Sequence, residues 1–299
     1  MFSRLGKGVF TVSIDLELGW GWRGIGISPH IKELILEENQ IVQKLLALFR
    51  QYNIKVTWAV VGHLLLDPPK PNSSTRDSSG LDLSDFKLWY CWELVKPIRQ
   101  AEPRHDLASH SFSHIPYDAH TTRQLVQSDL EKASRIHRTR DIPLQTFVFP
   151  WNRVGHVDLL AAHKIRIYRG TDDVWYRKLP QRLSRLVLFL NKVIPIAPNT
   201  VLPKTDAYGL LSISGCMALA GRYGAFTEKI AISKVKTGID RAMRLKKVFH
   251  LWFHPAAFYY KRARQFQILE EILRYSSQHV QKGDLLNLTL SEYLEDVQK

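Results

Sequence analysis

Two histidines stand four residues apart in DLASHSFSHIPYD, Asp106–Asp118, at His110 and His114. On a helical turn this spacing places both imidazoles on one side, where they could bind one cation such as zinc. In an extended strand the same residues would lie about 13 Å apart, too far for one metal ion. The pair therefore requires a turn or short helix directly after the strand that DLASH predicts. Alone, the spacing is a weak signal, because two solvated loop histidines are the ordinary alternative.

Two carboxylates near the N-terminus have the spacing of a shared strand face. In SIDLELGWG, Ser13–Gly21, Asp15 and Glu17 are two residues apart, so in a strand they face the same side. Ionisation of both carboxylates costs free energy, because their charges repel each other, unless a cation or a hydrogen-bond donor lies between them. The ordinary alternative is a solvated strand end with two surface carboxylates. Together with His110 and His114 they would form a cluster that can bind a metal. Three ligands with an open position are what metal-assisted hydrolysis requires.

A third histidine ends a strand-like segment near the C-terminus. His254 stands in VFHLWFHPAAF, Val248–Phe258, directly before Pro255, which ends strand pairing. The aromatic residues around it would keep the site partly dry, and a histidine there could act as a general acid. The alternative is a core histidine with a satisfied hydrogen bond. We interpret His250, deeper in the same segment, in that way.

Seven short segments rich in β-branched and aromatic residues predict strands. They are Val9–Asp15, Lys55–Gly62, Asp106–His110, Thr146–Pro150, Ile165–Gly170, Val248–His254 and Leu285–Leu290. Helical patterns between them cover Ile31–Tyr52, Thr121–Arg140, Arg222–Lys247 and Lys261–Gln281. This alternation predicts an α/β protein, a distorted (β/α)-barrel with about seven parallel strands. In barrels the active site lies at the carboxyl ends of the strands, where the residues above converge.

The chain has the length and composition of one large globular domain. It has 299 residues, of which 45% are hydrophobic and 23% charged, and these values exclude a disordered protein. We expect a single domain over 1–299, with a Pro/Ser-rich loop at about 67–82. The sequence has no signal-peptide pattern and no apolar run of about 18 residues. With two distant cysteines, Cys91 and Cys216, we expect a cytoplasmic protein.

The charge balance is strongly basic. A net charge of +14 and a pI near 9.8 imply an anionic partner. Over 172–195 the apolar residues form one stripe and the basic residues lie elsewhere, so this segment could lie on an anionic membrane. The ordinary alternative is an outer barrel helix that shows its arginines to water. The arginines could also bind the phosphates of a nucleotide-linked or lipid-linked sugar. We expect no nucleic acid partner, because the sequence has no recognised module for one.

Three stretches, HSFSH, SIDLE and LWFHP, together resemble the polysaccharide deacetylase family, also described as NodB homology or carbohydrate esterase 4-like. HSFSH matches the family's H-[ST]-x-x-H metal motif and is the most specific match. SIDLE resembles the first motif, commonly TFDD, and LWFHP resembles the last. The resemblance covers roughly Val9–Leu290 and is closer to bacterial members tied to surface-polysaccharide synthesis than to secreted chitin or peptidoglycan deacetylases. It implies a distorted barrel that binds one divalent metal and hydrolyses an N-acetyl or similar amide on a sugar.

The resemblance implies a role for each matched residue. Asp15 would be the catalytic base and His254 the general acid, while Glu17, His110 and His114 would bind the metal. Zinc is the expected metal, with other divalent ions as alternatives.

Two positions depart from the family pattern. Leu16 stands where an aspartate metal ligand usually follows the base, and Glu17 is the proposed substitute. The third motif, expected at Phe147–Leu160, lacks its arginine, and Arg153 is near enough to replace it. Substrate contacts, including aromatic stacking on sugar rings, are predicted for Trp20, Trp151, Asn152, Arg153 and Trp252.

Three functional hypotheses follow. The first is a metal-dependent carbohydrate N-deacetylase that acts in the synthesis of a surface glycan. The second is an amidohydrolase of the same fold that cleaves a small non-sugar amide, with or without a metal. The third is an inactive barrel that binds anionic glycans or membranes through its charge, in a salt-sensitive manner.

Overall fold

The computed structural model describes residues 6–69, 85–172, 198–220 and 225–298. The predicted Pro/Ser-rich loop at about 67–82 lies mostly outside the described residues. The basic segment 172–195 lies almost entirely outside them as well. In the described part of the chain, no helix is long and apolar enough to cross a membrane.

The strands of the described residues form one sheet that is mostly parallel. Their bounds are β1 Gly8–Leu16, β2 Thr57–Val60, β3 Asp106–Ser109, β4 Thr146–Val148, β5 Ile167–Gly170, β6 Lys204–Thr205, β7 Leu211–Ser214, β8 Met217–Ala218, β9 Val248–Phe253 and β10 Leu285–Asn287. The order across the sheet is β6-β7-β5-β4-β3-β2-β1-β9-β8, and β10 pairs with the start of β1. All seven predicted strands are therefore present, with somewhat different ends.

The sheet is curled, and the short segment Leu211–Ala218 pairs with strands near both of its ends. Leu211–Ser214 pairs with β5, and Met217–Ala218, only three residues further along, pairs with β9. The strand order therefore returns on itself, as expected for a distorted α/β barrel, and this fold prediction is confirmed. The strands β6 to β8 were not predicted. They are two to four residues long, too short to produce a hydrophobic pattern.

Helices follow most of the strands. Their bounds are α1 Pro29–Leu36, α2 Glu38–Tyr52, α3 Phe86–Trp89, α4 Trp92–Arg99, α5 Arg123–Thr139, α6 Val157–Ala162, α7 Ala225–Leu245, α8 Arg262–Gln281 and α9 Leu290–Gln298. The single helix predicted over Ile31–Tyr52 is two helices that meet at Glu37. Glu38, the first residue of α2, is buried and accepts a hydrogen bond from the Tyr259 hydroxyl at 2.6 Å.

The core surrounds β1. Every residue of β1 is buried, as expected for a parallel strand covered on both faces, and it pairs with β2 on one side and β9 on the other. Helix α2 packs its apolar face, including Ile41, Leu45 and Phe49, into this core. Each such side chain stabilises the fold by about 1.5–3 kcal/mol relative to exposure. This burial holds the carboxyl end of β1 between the ends of its two neighbours.

Candidate active site

The two carboxylates at the end of β1 face the same side, as the alternation of a strand requires. Asp15 is buried, Leu16 lies in the core on the other face, and Glu17 follows directly after the strand. Glu17 Oε1 lies 3.0 Å from Nε2 of His110 and 3.0 Å from Nε2 of His114. The structure thus brings together four of the predicted site residues from positions almost 100 residues apart.

The histidine pair lies on a bend after β3 and not on a helix. Ser111 and His114 have positive φ angles of 60° and 54°, and this turn brings the rings of His110 and His114 to 5.0 Å between centroids. His110 Nδ1 lies 2.8 Å from the carbonyl oxygen of Val148. A carbonyl only accepts, so this nitrogen carries the proton and donates. In the neutral tautomer with the proton on Nδ1, the Nε2 atom that faces Glu17 has a lone pair that can bind a cation.

Asp129 on α5 holds the turn that carries the histidines. One oxygen of its buried carboxylate accepts from the backbone N–H of Phe112 at 2.7 Å and from the Tyr117 hydroxyl at 2.8 Å, and the other accepts from the N–H of Ser113 at 3.0 Å. Burial raises the pKa of Asp129, although these donors act in the opposite direction. Asp129 was not among the predicted site residues, because an aspartate within a helical pattern is normally solvated.

Arg169 on β5 is the charged partner of Asp15. Its guanidinium donates to both carboxylate oxygens at 2.7 and 2.6 Å and to Ser13 Oγ at 3.0 Å. Burial alone would raise the pKa of Asp15, but Arg169, with His110 and His254, outweighs that effect and lowers it. Asp15 is therefore an oriented, ionised carboxylate.

The third-motif arginine of the family usually pairs with the base, and Arg153, the candidate to replace it, does not do so here. Arg153 has a side chain that is 57% exposed and forms an ion pair with Asp118 at 2.9 Å, whereas the Arg169 side chain is only 1% exposed. The sequence did contain a signal for Arg169. An arginine inside the buried strand IYRG needs a charged partner, because an unpaired buried cation is very costly.

His254 follows the end of β9 and faces both carboxylates. Its Nε2 lies 3.3 Å from Glu17 Oε1 and 3.7 Å from Asp15 Oδ2. Burial alone would lower its pKa, but the charges of Glu17 and Asp15 outweigh burial and raise the pKa to about 9. A histidine that is protonated at neutral pH can donate a proton. His250, by contrast, lies inside the barrel 2.9 Å from Ser13 Oγ, in the core position that we expected.

Three of the predicted substrate contacts lie near this cluster. Trp151 is half-exposed, and its ring lies 5.6 Å from that of His114. The indole N–H of Trp252 donates to Asp172 at 3.1 Å, and the ring lies 4.6 Å from the Arg169 guanidinium. The side-chain amide of Asn152 donates to the same Asp172 oxygen at 3.4 Å. Their contact with a substrate stays a prediction, as does a substrate contact of Arg153.

The prediction for Trp20 is wrong. This indole is fully buried, and its N–H donates to the carbonyl of Trp89 at 3.1 Å. Its ring also lies against His63, at 4.3 Å between centroids. The short 3-10 helix Leu18–Trp22 turns the side chain into the core, so Trp20 cannot stack on a sugar.

The donor set of Glu17, His110 and His114 fits a divalent metal. The ligand atoms of these three residues lie within 4.8 Å of one another. One carboxylate oxygen and two imidazole nitrogens are a donor set that zinc and related divalent ions accept. Asp15, Glu17 and His254 are equally close together. However, Arg169 occupies both oxygens of Asp15, so the first group fits a cation better.

Comparisons with known proteins match part of the sequence and the fold. The family model for polysaccharide deacetylases matches residues 32–154, a segment that includes HSFSH. No curated protein matches the sequence. A protein from Mycobacterium smegmatis described as a polysaccharide deacetylase has the same fold, with a TM-score of 0.64, 13% identity, and coverage of 98% of this chain and 91% of that one.

Two further solved structures share the fold. A protein from Pseudomonas aeruginosa PAO1, also described as a polysaccharide deacetylase, has a TM-score of 0.62 at 12% identity, with coverage of 98% of this chain and 90% of that one. Puue allantoinase has a TM-score of 0.63 at 10% identity, with coverage of 97% and 90%. At these identities the likeness concerns the fold alone. The resemblance predicted from the motifs is confirmed: residues 32–154 match the polysaccharide deacetylase family, and the chain shares its fold with proteins described as members of that family.

Proposed function

We propose that this protein is a metal-dependent hydrolase that removes an N-acetyl or similar acyl group from a sugar. One observation carries the proposal: the Asp15–Arg169 pair lies next to the Glu17, His110 and His114 donors, and His254 faces both groups. A base, a set of metal ligands and an acid at one edge of a sheet are the parts that amide hydrolysis needs.

The residues divide the work of hydrolysis. A divalent cation held by Glu17, His110 and His114 would polarise the amide carbonyl and lower the pKa of a water molecule. Asp15 is oriented by the two terminal guanidinium nitrogens of Arg169. It takes a proton from the water molecule while the oxygen of that water forms a bond to the carbonyl carbon. His254 gives its proton to the nitrogen as the carbon–nitrogen bond breaks, so the sugar leaves as an amine.

We further propose that the enzyme acts in the synthesis of a surface glycan and works in the cytoplasm as a single domain. Its substrate would be a sugar linked to a nucleotide or a lipid. The net charge of +14 supports a phosphate-bearing substrate, since basic surfaces attract anions. The same charge supports peripheral contact with an anionic membrane.

An assay of acetate release tests the reaction. The purified protein, supplied with zinc or another divalent metal, is incubated with free, nucleotide-linked and lipid-linked N-acetyl amino sugars. We expect acetate and free amine in equal amounts, and a loss of at least 100-fold in kcat/KM in Asp15→Asn. Binding of these sugars without release of acetate would contradict the proposal and favour an inactive barrel.

A second candidate is hydrolysis of a small non-sugar amide. Leu16 stands where a second aspartate is common, and the fold is shared with a protein described as an allantoinase. Linear and cyclic amides in the same assay distinguish the two candidates. Turnover of these amides in the presence of a chelator, with no turnover of N-acetyl sugars, would favour this alternative.

A further inference from the structure

A cavity of about 390 Å³ lies beside His254. Trp22, Trp252 and Tyr260 form aromatic walls, and Ala218, Ala256 and Ala257 leave room between them. Pockets that bury a small organic ligand usually start at about 300 Å³. One water molecule occupies about 30 Å³ in the liquid, so a group as small as an acetyl methyl would fill only a minor part of this space. The cavity therefore has the size for a longer group.

The chemistry of the walls suits hydrocarbon. The indole N–H of Trp252 already donates to Asp172 at 3.1 Å, and the hydroxyl of Tyr259, another wall residue, donates to Glu38 at 2.6 Å. The alanines and Phe253 offer no polar side-chain atoms. The other polar side-chain groups in the walls are the Trp22 indole N–H, His254 and the Tyr260 hydroxyl. These are fewer than the hydroxyls of a sugar ring would need, and each buried hydroxyl without a partner costs about 1–3 kcal/mol. An aliphatic chain carries no such cost.

The cavity meets the candidate active site at His254. His254 is a wall residue, and its Nε2 lies 3.3 Å from Glu17 Oε1 and 3.7 Å from Asp15 Oδ2. A chain in the cavity therefore begins next to the amide that these residues would cleave. In the proposed reaction the nitrogen side of that amide carries a sugar, whose hydroxyls the cavity does not suit. An acyl chain is bonded directly to the reacting carbonyl, whereas a lipid on the sugar is separated from it by the sugar ring, so the chain in the cavity is assigned to the carbonyl side.

We propose that this cavity binds a linear acyl chain, so that the preferred substrate is an amino sugar N-acylated with several carbons more than acetyl. The inference rests on the proposed function and specifies its substrate class. The products are a free amino sugar and a fatty acid, formed by the same addition of water and cleavage of the carbon–nitrogen bond.

A series of N-acyl glucosamines from acetyl to octanoyl tests the inference in the metal-loaded wild-type enzyme. Each buried methylene contributes about 0.8 kcal/mol, so we expect kcat/KM to rise about fourfold per carbon up to hexanoyl. Hydrolysis of the acetyl compound with no rise along the series would overturn the inference and leave the proposed function standing. Failure to cleave any member would instead count against the proposed function.

Alkyl glycosides of N-acetylglucosamine separate the two sides of the amide. In these compounds the chain is on the sugar and the acyl group stays acetyl. A rise in kcat/KM with the glycosidic chain, and none with the acyl chain, would place a lipid-linked sugar in the cavity and overturn the assignment to the acyl group. We expect the acyl series to rise and the glycoside series to stay within about twofold.

A variant that narrows the cavity provides the structural test. Ala218→Leu adds bulk to the wall at an exposed position, so folding should tolerate it. We expect the octanoyl-to-acetyl ratio of kcat/KM to fall about tenfold, while Ala119→Leu, at an exposed alanine that does not line this cavity, keeps the wild-type ratio. Octanoate should also alter the tryptophan fluorescence of the wild type more than that of Ala218→Leu. An unchanged ratio and equal fluorescence responses would contradict the proposal.

Discussion

At the scale of single residues, the orientation and charge of Asp15 depend on Arg169. The two terminal guanidinium nitrogens of Arg169 reach the carboxylate, at 2.7 and 2.6 Å, and both side chains are buried. Replacement of Arg169 by alanine would leave a buried carboxylate without its partner, which typically costs 3–5 kcal/mol of stability. Lysine is the milder change, because it keeps the charge and loses the two-point contact.

Arg169→Lys should weaken catalysis through Asp15. A poorer partner lowers the pKa of Asp15 less, so the acidic limb of kcat/KM against pH should move to higher pH. We also expect kcat/KM at its maximum to fall about 10–100-fold, because the base is less well oriented. The matched control is Arg123→Lys, at an exposed ion pair with Asp158, which should stay within about twofold of wild type. An effect of Arg169→Lys no larger than that of Arg123→Lys would contradict this role of Arg169.

The residues that bear chemistry were predictable where type and spacing carried the signal. Asp15, Glu17, His110, His114 and His254 follow strand ends, and parallel strands bring such ends together. Partners such as Arg169 and Asp129 act through contacts between distant segments, which spacing along the chain does not reveal. The prediction for Trp20 was wrong for a related reason. That a residue is a tryptophan does not determine whether its side chain points into the core or towards the site, and Trp20 is buried.

At the scale of elements, α5 holds the turn after β3 through Asp129. Its carboxylate accepts from two backbone N–H groups of the turn, so it limits the positions that His110 and His114 can adopt. Asp129→Asn keeps the size of the side chain but replaces one carboxylate oxygen by an NH2 group. That group is a donor and would face the donors that the oxygen now accepts from. We expect the affinity for zinc to fall about 10–100-fold, the range typical of such supporting contacts.

Competition with a chromophoric chelator measures this affinity. The matched control is Asp141→Asn, at an aspartate whose side chain is 97% exposed, where the affinity should not change. An equal affinity in Asp129→Asn and wild type would show that the turn keeps its shape without this carboxylate.

The elements themselves were predictable in proportion to their length. The long strands β1 and β9 and the long helices α5 and α8 have clear patterns and were predicted with ends that differ by a few residues. The curling segment Leu211–Ala218 was missed, because only its pairing with β5 and β9 gives it strand structure. The break at Glu37 was also missed, since the buried bond between Glu38 and Tyr259 joins residues 221 positions apart.

At the scale of the whole molecule, Glu38 links the start of α2 to the connection after β9. Its buried carboxyl accepts from Tyr259, and burial raises its pKa to about 7 from 4.5. The folded state therefore holds a proton more tightly than the unfolded chain. The resulting stability is fully present below about pH 4.5 and is lost as the pH rises through about 7. A shift of this size corresponds to roughly 3 kcal/mol, at about 1.4 kcal/mol for each unit.

Glu38→Gln should remove this pH dependence. Glutamine can still accept from Tyr259 and does not ionise, so the variant should gain stability relative to wild type between pH 5 and pH 8. Urea denaturation at several pH values, in the presence of a chelator, measures the difference. Glu37→Gln, at a half-exposed neighbour that pairs with Arg262, serves as the control and should follow wild type. Parallel curves for Glu38→Gln and wild type would mean that Glu38 is ionised in the folded protein.

The central claim is that Glu17, His110 and His114 hold a divalent cation, and metal content tests it most directly. Elemental analysis of the purified protein, after incubation with zinc and removal of excess metal, needs no substrate. We predict about one metal ion per chain in the wild type and in His120→Ala, whose histidine is exposed and outside the cluster. We predict none in His110→Ala or His114→Ala. A wild type without metal, or both of these variants with a full complement, would contradict the account.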